Sequence, residues 1–157
     1  MAKRIPILYG TESGNAEYCA ETLADSITEA GYRCEAIDMD DFDPPTISSE
    51  ELVIIVTSTH GNGDPPGNAA AFMNYLKTSD ADLSGLRFAV CGLGDTSFAY
   101  FAQCGKDFDA LLEKRGGQRV LERVDCKEDF DDDFDGFMET VKTFLGEQEA
   151  VLADWAL

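Results

Sequence analysis

The chain has 157 residues, 44% of them hydrophobic, and carries a formal net charge of −19 at pH 7. This size and composition allow most of the apolar surface to be buried in one core, so we expect a single domain over residues 1–157. The strong negative charge disfavours nucleic acid and anionic membranes as partners, and it favours basic protein surfaces.

Residues 1–4 lead directly into an apolar strand, and no apolar run approaches the roughly 18 residues of a membrane span. We therefore expect a cytoplasmic protein without membrane association, and we expect a monomer. The five cysteines are an odd number without a C-x-x-C pair, which argues against a disulfide framework or a zinc site. The thiols predicted to be reduced and mostly buried are Cys19, Cys34, Cys91, Cys104 and Cys126.

Strands and helices are predicted to alternate along the chain. Apolar runs rich in branched residues predict strands near residues 5–9, 34–37, 52–56, 88–93 and 119–124. Apolar residues at helical spacing predict helices around residues 20–27, 72–76, 101–111 and 134–145. Gly31, Gly116 and Gly146 stand where helices should end, and residues 40–51 are predicted to form an irregular crossover. This alternation predicts a doubly wound α/β fold, whose ligands bind at the carboxyl ends of parallel strands.

The loop after the first predicted strand is rich in glycine and hydroxyl side chains and contains no basic residue. Its sequence is Tyr9-Gly10-Thr11-Glu12-Ser13-Gly14-Asn15-Ala16-Glu17. The helix that follows supplies unpaired backbone N–H groups and a positive dipole end, which can hold a phosphate without Lys or Arg. Thr11, Ser13 and Asn15 can add neutral donors, while Gly10 and Gly14 allow a close backbone approach. An ordinary capped helix start explains the same residues, so this loop alone leaves both interpretations open.

Two more loops are long, polar and rich in glycine, at residues 57–68 and 92–98, and each contains one ring, His60 or Phe98. A planar heteroaromatic ligand could stack between these rings. Taken singly, Phe98 is better explained as a core residue that opens a helix, and His60 as a solvated loop residue. Together with the phosphate turn, the loops fit one ligand that has a ring at one end and a phosphate at the other.

Three motifs in this order and spacing, followed by a fourth segment, resemble those of the flavodoxins over nearly the whole chain. The similarity is greatest to the FMN-binding domains of diflavin reductases such as sulfite reductase and cytochrome reductase. The matching segments are Thr11-Glu12-Ser13-Gly14-Asn15-Ala16-Glu17, Gly61-Asn62-Gly63-Asp64-Pro65, Cys91-Gly92-Leu93-Gly94-Asp95-Thr96-Ser97-Phe98 and Gly105-Lys106-Asp107-Phe108.

The resemblance implies a flavodoxin-like, five-stranded parallel sheet in the order 2-1-3-4-5, with helices on both faces. It implies noncovalently bound FMN as the cofactor and no metal, with the first loop holding the phosphate and the other two clasping the isoalloxazine ring. Asp125 resembles an acidic residue near the outer ring edge, in the loop after the last strand. The implied cofactor-binding residues are Thr11, Glu12, Ser13, Gly14, Asn15, Ala16, Thr59, His60, Gly61, Asn62, Gly63, Gly92, Leu93, Gly94, Asp95, Phe98, Phe101 and Asp125.

The function implied is electron transfer rather than transformation of a substrate. The resemblance implies a nicotinamide-dependent flavin reductase as donor and a heme, iron–sulfur or radical enzyme as acceptor. An alternative is a flavodoxin-like regulatory or interaction module that carries no electrons. Residues 151–157 look more like a terminus than a linker.

Two aromatic positions depart from the relatives, many of which have tyrosine on both ring faces, whereas this chain has His60 and Phe98. An imidazolium beside a reduced, anionic flavin would stabilise that anion, so we expect the lower redox potential to depend on pH around the His60 titration. The peptide between Gly61 and Asn62 is expected to turn its carbonyl toward the ring when the ring is half reduced. The carboxylates expected to oppose the reduced anion are Asp64, Asp95 and Asp125.

Residues 125–135 contain seven acids and one base, Lys127. The run Asp131-x-Asp133-x-Asp135-Gly136 matches the start of a calcium loop, but Lys142 stands where the closing bidentate Glu should be. The segment also overlaps the last helical stripe, so calcium binding is disfavoured. A solvated acidic helix start and a docking face for basic redox partners both remain open.

Other classes of phosphate-binding protein fit the residues less well. A nucleoside-triphosphatase loop needs Lys-Ser/Thr after its glycines, whereas Asn15-Ala16 follows Gly14. A dinucleotide-binding enzyme needs G-x-G-x-x-G after the first strand, and the spacing from Gly10 to Gly14 is different. A signalling receiver domain needs a phosphorylatable Asp where the third strand ends in Thr57-Ser58-Thr59.

Overall fold

The apolar runs form one parallel β-sheet in the computed structural model, which describes residues 3–59, 63–97 and 99–148. Strands β1 to β6 are Ile5–Gly10, Cys34–Asp38, Leu52–Ser58, Arg87–Leu93, Gln118–Arg119 and Val124–Cys126. They lie in the order β2-β1-β3-β4-β5, with β6 also paired to β4, and every pair is parallel. The predicted doubly wound order is confirmed.

Two short strands occupy the position of the fifth predicted strand. β5 pairs with the start of β4, and β6 pairs with its end. Between them, the consecutive residues Val120 and Leu121 both pack against the same hydrophobic cluster. A regular strand points neighbouring side chains to opposite faces, so the ladder is interrupted where both side chains turn to one face. The single run predicted over residues 119–124 is therefore divided in the structure.

The helices cover both faces of the sheet, as predicted. They are α1 (Asn15–Glu29), α2 (Ala70–Thr78), α3 (Gln103–Lys114) and α4 (Asp131–Glu147). One buried cluster joins the apolar stripes of α1 and α4 to the sheet, and a second joins those of α2 and α3 to its other face. No helix within the described residues is long and apolar enough to cross a membrane.

The connections mostly follow the expected turn chemistry. Gly31 and Gly116 have left-handed φ values of 102 and 104 after α1 and α3. The crossover after β2 contains two short 3-10 helices, Met39–Asp41 and Pro44–Ser49, instead of a regular element. Contrary to the prediction, α4 continues through Gly146, because Leu145 is fully buried and keeps the last turn against the core.

The carboxyl ends of the central strands meet at one edge of the sheet. Gly10 in β1 is in register with Thr57 in β3, and Thr57 is in register with Gly92 in β4. The three loops that the sequence selects therefore leave the sheet side by side.

Candidate functional site

The loops after β1, β3, β4 and β6 surround a cleft of about 240 Å³ at this edge of the sheet. Its lining residues are Ser13, Asn15, Ser58, Thr59, Leu93, Gly94, Asp95, Lys127, Glu128 and Phe130. The predicted cofactor-binding residues among them are Ser13, Asn15, Thr59, Leu93, Gly94 and Asp95. The structure thus brings the phosphate turn and the loops after β3 and β4 to a single site.

The phosphate turn is closed by its own hydrogen bonds before α1 begins. Gly14 has a left-handed φ of 92, and its N–H donates to Thr11 Oγ1 at 2.9 Å. The first helical bond runs from the Tyr18 N–H to the Gly14 carbonyl at 3.0 Å. The N–H groups of residues 15–17 have no hydrogen-bond partner within the described part of the chain. These donors remain available at the positive end of the helix dipole.

Two side chains brace this turn against the segment before α2. The Thr11 N–H donates to Asn68 Oδ1 at 2.8 Å, and Asn68 Nδ2 donates to Asp38 Oδ1 at 3.1 Å. The Gly67 N–H donates to Glu12 Oε1 at 2.9 Å. The Glu12 carboxylate therefore holds a neighbouring loop, and a contribution of Glu12 to phosphate binding would have to come from its backbone.

Ser13 and Asn15 are the exposed side chains of the turn that line the cleft. Neither side chain forms a hydrogen bond to another of the described residues, so the Ser13 hydroxyl and the Asn15 amide can serve a ligand. Ala16 is fully buried, and only its backbone N–H can take part in binding.

Glycines 63 and 94 are required by contacts within the protein. A Cβ at Gly94 would lie 2.6 Å from the backbone nitrogen of Ala102 and 3.0 Å from the ring of Phe101. Gly63 has a left-handed φ of 87, and its Cβ would lie 2.9 Å from the Cβ of Tyr100. Both loops therefore press on the turn at residues 99–102, and Phe101 lies behind Gly94 rather than among the cleft-lining residues.

Thr59 and Gly92 both contact α3. The Cys104 N–H donates to Thr59 Oγ1 at 3.0 Å, which satisfies a donor in the first turn of the helix. A Cβ at Gly92 would lie 3.4 Å from the Cα of Gly105, so the strand and the helix approach closely at this point. Thr59 still lines the cleft, whereas Gly92 does not.

Two carboxylates fix the loops after β4 and β6. The Ser97 N–H and hydroxyl donate to Asp95 Oδ1 at 2.8 and 2.6 Å, and the Thr96 N–H donates to Glu128 Oε2 at 2.8 Å. The bond from the Ser97 hydroxyl is the main cause that lowers the pKa of Asp95 below its usual value. The bond from the Thr96 N–H is the main cause that lowers the pKa of Glu128. Both groups are charged at neutral pH and bring negative charge to the cleft.

Asp125 lies within β6, not in the loop after the last strand as the resemblance implies. Arg123 Nε donates to its carboxylate at 2.8 Å, and Arg123 Nη1 reaches the buried Asp109 of α3 at 3.3 Å. Asp125 is in register with Gly92 and is absent from the cleft lining. The ion pair with Arg123 offsets the charge that was expected to act on a flavin.

Four predicted ligands, His60, Gly61, Asn62 and Phe98, lie outside the described residues. The expected ring stacking and the expected movement of the peptide after Gly61 therefore stay predictions.

Several residues of the site are missing from the sequence prediction. Asn68 and Ser58 brace the strand ends, since Ser58 Oγ donates to the Gly10 carbonyl at 3.3 Å. Glu128 and Phe130 lie in the acidic segment 125–135, which the sequence predicts to be a solvated helix start or a docking face, although both line the cleft. The only available signal was the position of these residues in loops at the carboxyl edge of the sheet.

Lys127 changes the expected electrostatics of the site. The phosphate turn itself has no basic residue, but Lys127 lines the same cleft from the loop after β6. The cleft that would hold a ligand phosphate at the start of α1 therefore contains one cationic side chain in addition to neutral donors.

The groups around the cleft fit a phosphate ester that carries a ring. The free N–H groups of residues 15–17, the Ser13 hydroxyl and the Asn15 amide suit the phosphate. Leu93 and Phe130 supply apolar surface in the same cleft. Fold and cleft together define a doubly wound α/β domain with a site for a ring-bearing phosphate ester at the carboxyl edge of its sheet.

The comparisons with known proteins agree with this class. A family model described as flavodoxin matches residues 7–140. The chain is 39% identical over 148 residues to the sulfite reductase [NADPH] flavoprotein alpha-component of Bacillus subtilis, which covers 94% of this chain and 24% of that protein. The corresponding protein of Thiocapsa roseopersicina is 42% identical over 132 residues, covering 83% of this chain and 25% of that protein.

Solved structures show the same fold. A Streptococcus pneumonia TIGR4 flavodoxin superposes with a TM-score of 0.80 at 23% identity, covering 93% of this chain and 99% of that chain. Oxidised flavodoxin 1 from Bacillus cereus superposes with a TM-score of 0.77 at 24% identity, covering 92% of this chain and 98% of that chain.

The chain therefore belongs to the flavodoxin family, and it is an FMN-binding, electron-transfer domain of the diflavin reductase type. It spans about a quarter of the length of the curated relatives that it matches.

Proposed function

We propose that the chain carries single electrons on noncovalently bound FMN between a reductase and a redox enzyme. The observation that supports this most is the single cleft in which the start of α1 meets the loops after β3, β4 and β6. FMN supplies one-electron redox chemistry when it is bound. The free N–H groups of residues 15–17 and the Ser13 hydroxyl would hold its phosphate, and the loops at Thr59 and Gly94 would position its ring.

The partners are proposed from charge and from the relatives. A nicotinamide-dependent flavin reductase is the proposed donor, in keeping with the NADPH named for the sulfite reductase flavoproteins. A heme, iron–sulfur or radical enzyme is the proposed acceptor. A net charge of −19 would steer basic surfaces of such partners toward the domain, and added salt should slow that association. Sulfite reduction itself is not assigned, because the chain matches only a part of those relatives.

The second candidate is a flavodoxin-like module that binds FMN but regulates or assembles an enzyme without carrying electrons. Glu128 and Asp125 bond within the protein, so these two acids do not by themselves indicate docking of an electron-transfer partner, and the module stays a candidate. Rapid reduction by a reductase separates the two candidates.

The test begins with the purified chain and FMN. A carrier should bind about one FMN, show two separate one-electron potentials and be reduced rapidly by a nicotinamide-dependent flavin reductase. A module should bind FMN but resist reduction by every such reductase offered. A chain that ignores added FMN would contradict both candidates.

The phosphate assignment has its own test. Replacing Ser13 by Ala removes a donor that lines the cleft, so the Kd for FMN should rise about five- to tenfold, whereas the Kd for riboflavin should change little. Ser26→Ala, further along α1, is the matched control and should leave both values unchanged. Equal losses for FMN and riboflavin in Ser13→Ala would place the phosphate elsewhere.

A further inference from the structure

Lys127 is the only Lys or Arg among the described residues that line the cleft. It lies on the loop between β6 and α4, and its exposed side chain shares the cleft wall with Ser13 and Asn15 of the phosphate turn. A cation at this place is unexpected in a chain of charge −19 whose phosphate turn has no basic residue.

The Lys127 ammonium forms no ion pair with any carboxylate in the described ranges 3–59, 63–97 and 99–148. The two carboxylates that line the same cleft are engaged elsewhere: Asp95 accepts from Ser97, and Glu128 accepts from Thr96. The two cleft-lining acids thus accept hydrogen bonds from neutral donors, and neither forms an ion pair with Lys127.

The backbone of Lys127 is nevertheless anchored. Its N–H donates to Asp133 Oδ2 at 3.3 Å, and Asp133 belongs to the first turn of α4. The loop also follows β6, whose Cys126 is fully buried beside the core. The Lys127 side chain therefore extends from a fixed point rather than from a free loop tip.

We propose that Lys127 pairs with the phosphate of the bound cofactor and so determines the preference of this domain for FMN over riboflavin. The phosphate is the only part of oxidised FMN that carries a full charge, and Lys127 lines the same cleft as Ser13 and Asn15 of the phosphate turn. This proposal rests on FMN occupying the cleft, as in the proposed function. It adds a specificity-determining cation to a phosphate site that otherwise consists of helix N–H groups and neutral side chains.

The expected effect is modest because Lys127 is solvent-exposed. Exposed ion pairs contribute up to about 1 kcal/mol, which corresponds to about a fivefold change in Kd. The contribution should shrink with added salt, because ions screen exposed charges over about 10 Å at 0.1 M.

The experiment titrates the apoprotein with FMN and with riboflavin at low and high salt, following the flavin fluorescence. Lys127→Gln should raise the Kd for FMN about fivefold at low salt and leave the Kd for riboflavin nearly unchanged. Lys127→Arg keeps the charge and should restore FMN binding. Lys114→Gln makes the same charge change in the last turn of α3, and it should alter neither Kd.

Each outcome decides the proposal. The proposal fails if the Lys127→Gln protein binds FMN as tightly as the Lys114→Gln control. It also fails if Lys127→Gln weakens the binding of FMN and riboflavin equally, because the lysine would then lie at the ring or the ribityl chain. Failure of Lys127→Arg to restore binding would show that packing, not charge, is responsible. If the unmodified chain binds no FMN, the proposed function itself fails, and this result is distinct from all the others.

Discussion

The side-chain oxygen of Asn68 accepts a hydrogen bond from the Thr11 N–H at 2.8 Å, joining two loops that are 57 residues apart. The amide nitrogen of the same side chain donates to Asp38 at 3.1 Å. One planar amide thus supplies an acceptor on one side and a donor on the other. Through it, the end of β2 supports the first residue of the phosphate turn.

Replacing Asn68 by Asp should separate these two functions. The carboxylate can still accept from Thr11, but it would stand against the carboxylate of Asp38 in place of a donor. We expect a loss of about 1–2 kcal/mol in the free energy of unfolding at pH 7 and weaker FMN binding. Because the repulsion raises the pKa of the carboxyl pair, the loss should diminish as the solution is acidified and one group takes up a proton.

Chemical denaturation at neutral and mildly acidic pH measures this effect. Asn74→Asp makes the same charge change on the exposed face of α2 and serves as control. If Asn68→Asp and Asn74→Asp behaved alike at both pH values, the bridge between the loops would have no energetic importance.

The contact between Glu128 and Thr96 should depend on pH. Hydrogen bonds from Thr96 hold the pKa of Glu128 below its usual 4.5. A lowered pKa in the folded state means that the contact stabilises the protein above the usual pKa, and that this stabilisation is lost as the pH falls through the lowered value. The link between the loops after β4 and β6 should therefore be intact at pH 7 and weaken below pH 4.5.

A pH titration of the Thr96 amide resonance by NMR measures this loss. The Thr96 signal should shift with a midpoint below 4.5, and Glu128→Gln should abolish the shift. Glu122→Gln, an exposed position on the interrupted edge of the sheet, should leave it in place. A Thr96 midpoint at or above 4.5 would contradict the assignment.

Much of the fold was predictable because buried parallel strands and amphipathic helices have distinct periods. The apolar runs at Ile5 and Leu52 place β1 and β3 correctly, and the stripes of α1 and α4 face the same cluster. The division of the fifth strand was not predictable, because it depends on Val120 and Leu121 turning to one face of the folded core. Tertiary packing determines which way these two side chains point, and the local sequence does not indicate it.

The position of the cleft was predictable from the sequence, but the hydrogen bonds that hold its loops together were not. The rule that ligands bind at the carboxyl ends of strands correctly brought Ser13, Thr59 and Asp95 together. The bonds from Asn68 to Thr11 and from Glu128 to Thr96 join residues 57 and 32 positions apart, and no local pattern marks them. Asp125 was expected in the loop after the last strand, but it lies within β6, because residues 124–126 pair with the end of β4.

The close approach of α3 to β4 depends on Gly105. A Cβ at this position would lie 2.9 Å from the Cα of Gly92, a backbone atom that cannot move without displacing the strand. Gly105→Ala should therefore lower the free energy of unfolding by about 1–3 kcal/mol. The displacement should also weaken FMN binding, because β4 leads into the loop at Gly94.

Gly136→Ala in α4 is the matched control, because nothing lies within 4 Å of a Cβ at that position. Alanine is the better helix former, so this variant should gain about 0.5–1 kcal/mol. Denaturant unfolding of both variants gives the two values. A Gly105→Ala protein as stable as Gly136→Ala would show that the helix and strand tolerate separation.

The two acids predicted near the flavin should differ in their effect on its potentials. Asp95 lines the cleft, accepts hydrogen bonds from the neutral Ser97, and keeps a full negative charge. Asp125 lies outside the cleft lining and is paired with Arg123 at 2.8 Å. A carboxylate without a cationic partner opposes the reduced, anionic flavin, whereas the charge of a paired one is largely offset.

We therefore expect Asp95→Asn to raise the lower of the two one-electron potentials by about 20–40 mV, and Asp125→Asn to change it by less than about 10 mV. The amide oxygen introduced by Asp95→Asn would still accept from Ser97, so the loop should keep its shape in this variant. Asp80→Asn, an exposed position after α2, controls for the change in net charge. Spectroelectrochemical titration of the three FMN-loaded variants measures the shifts. A shift in Asp125→Asn as large as that in Asp95→Asn would mean that the ion pair with Arg123 does not neutralise Asp125 toward the cofactor.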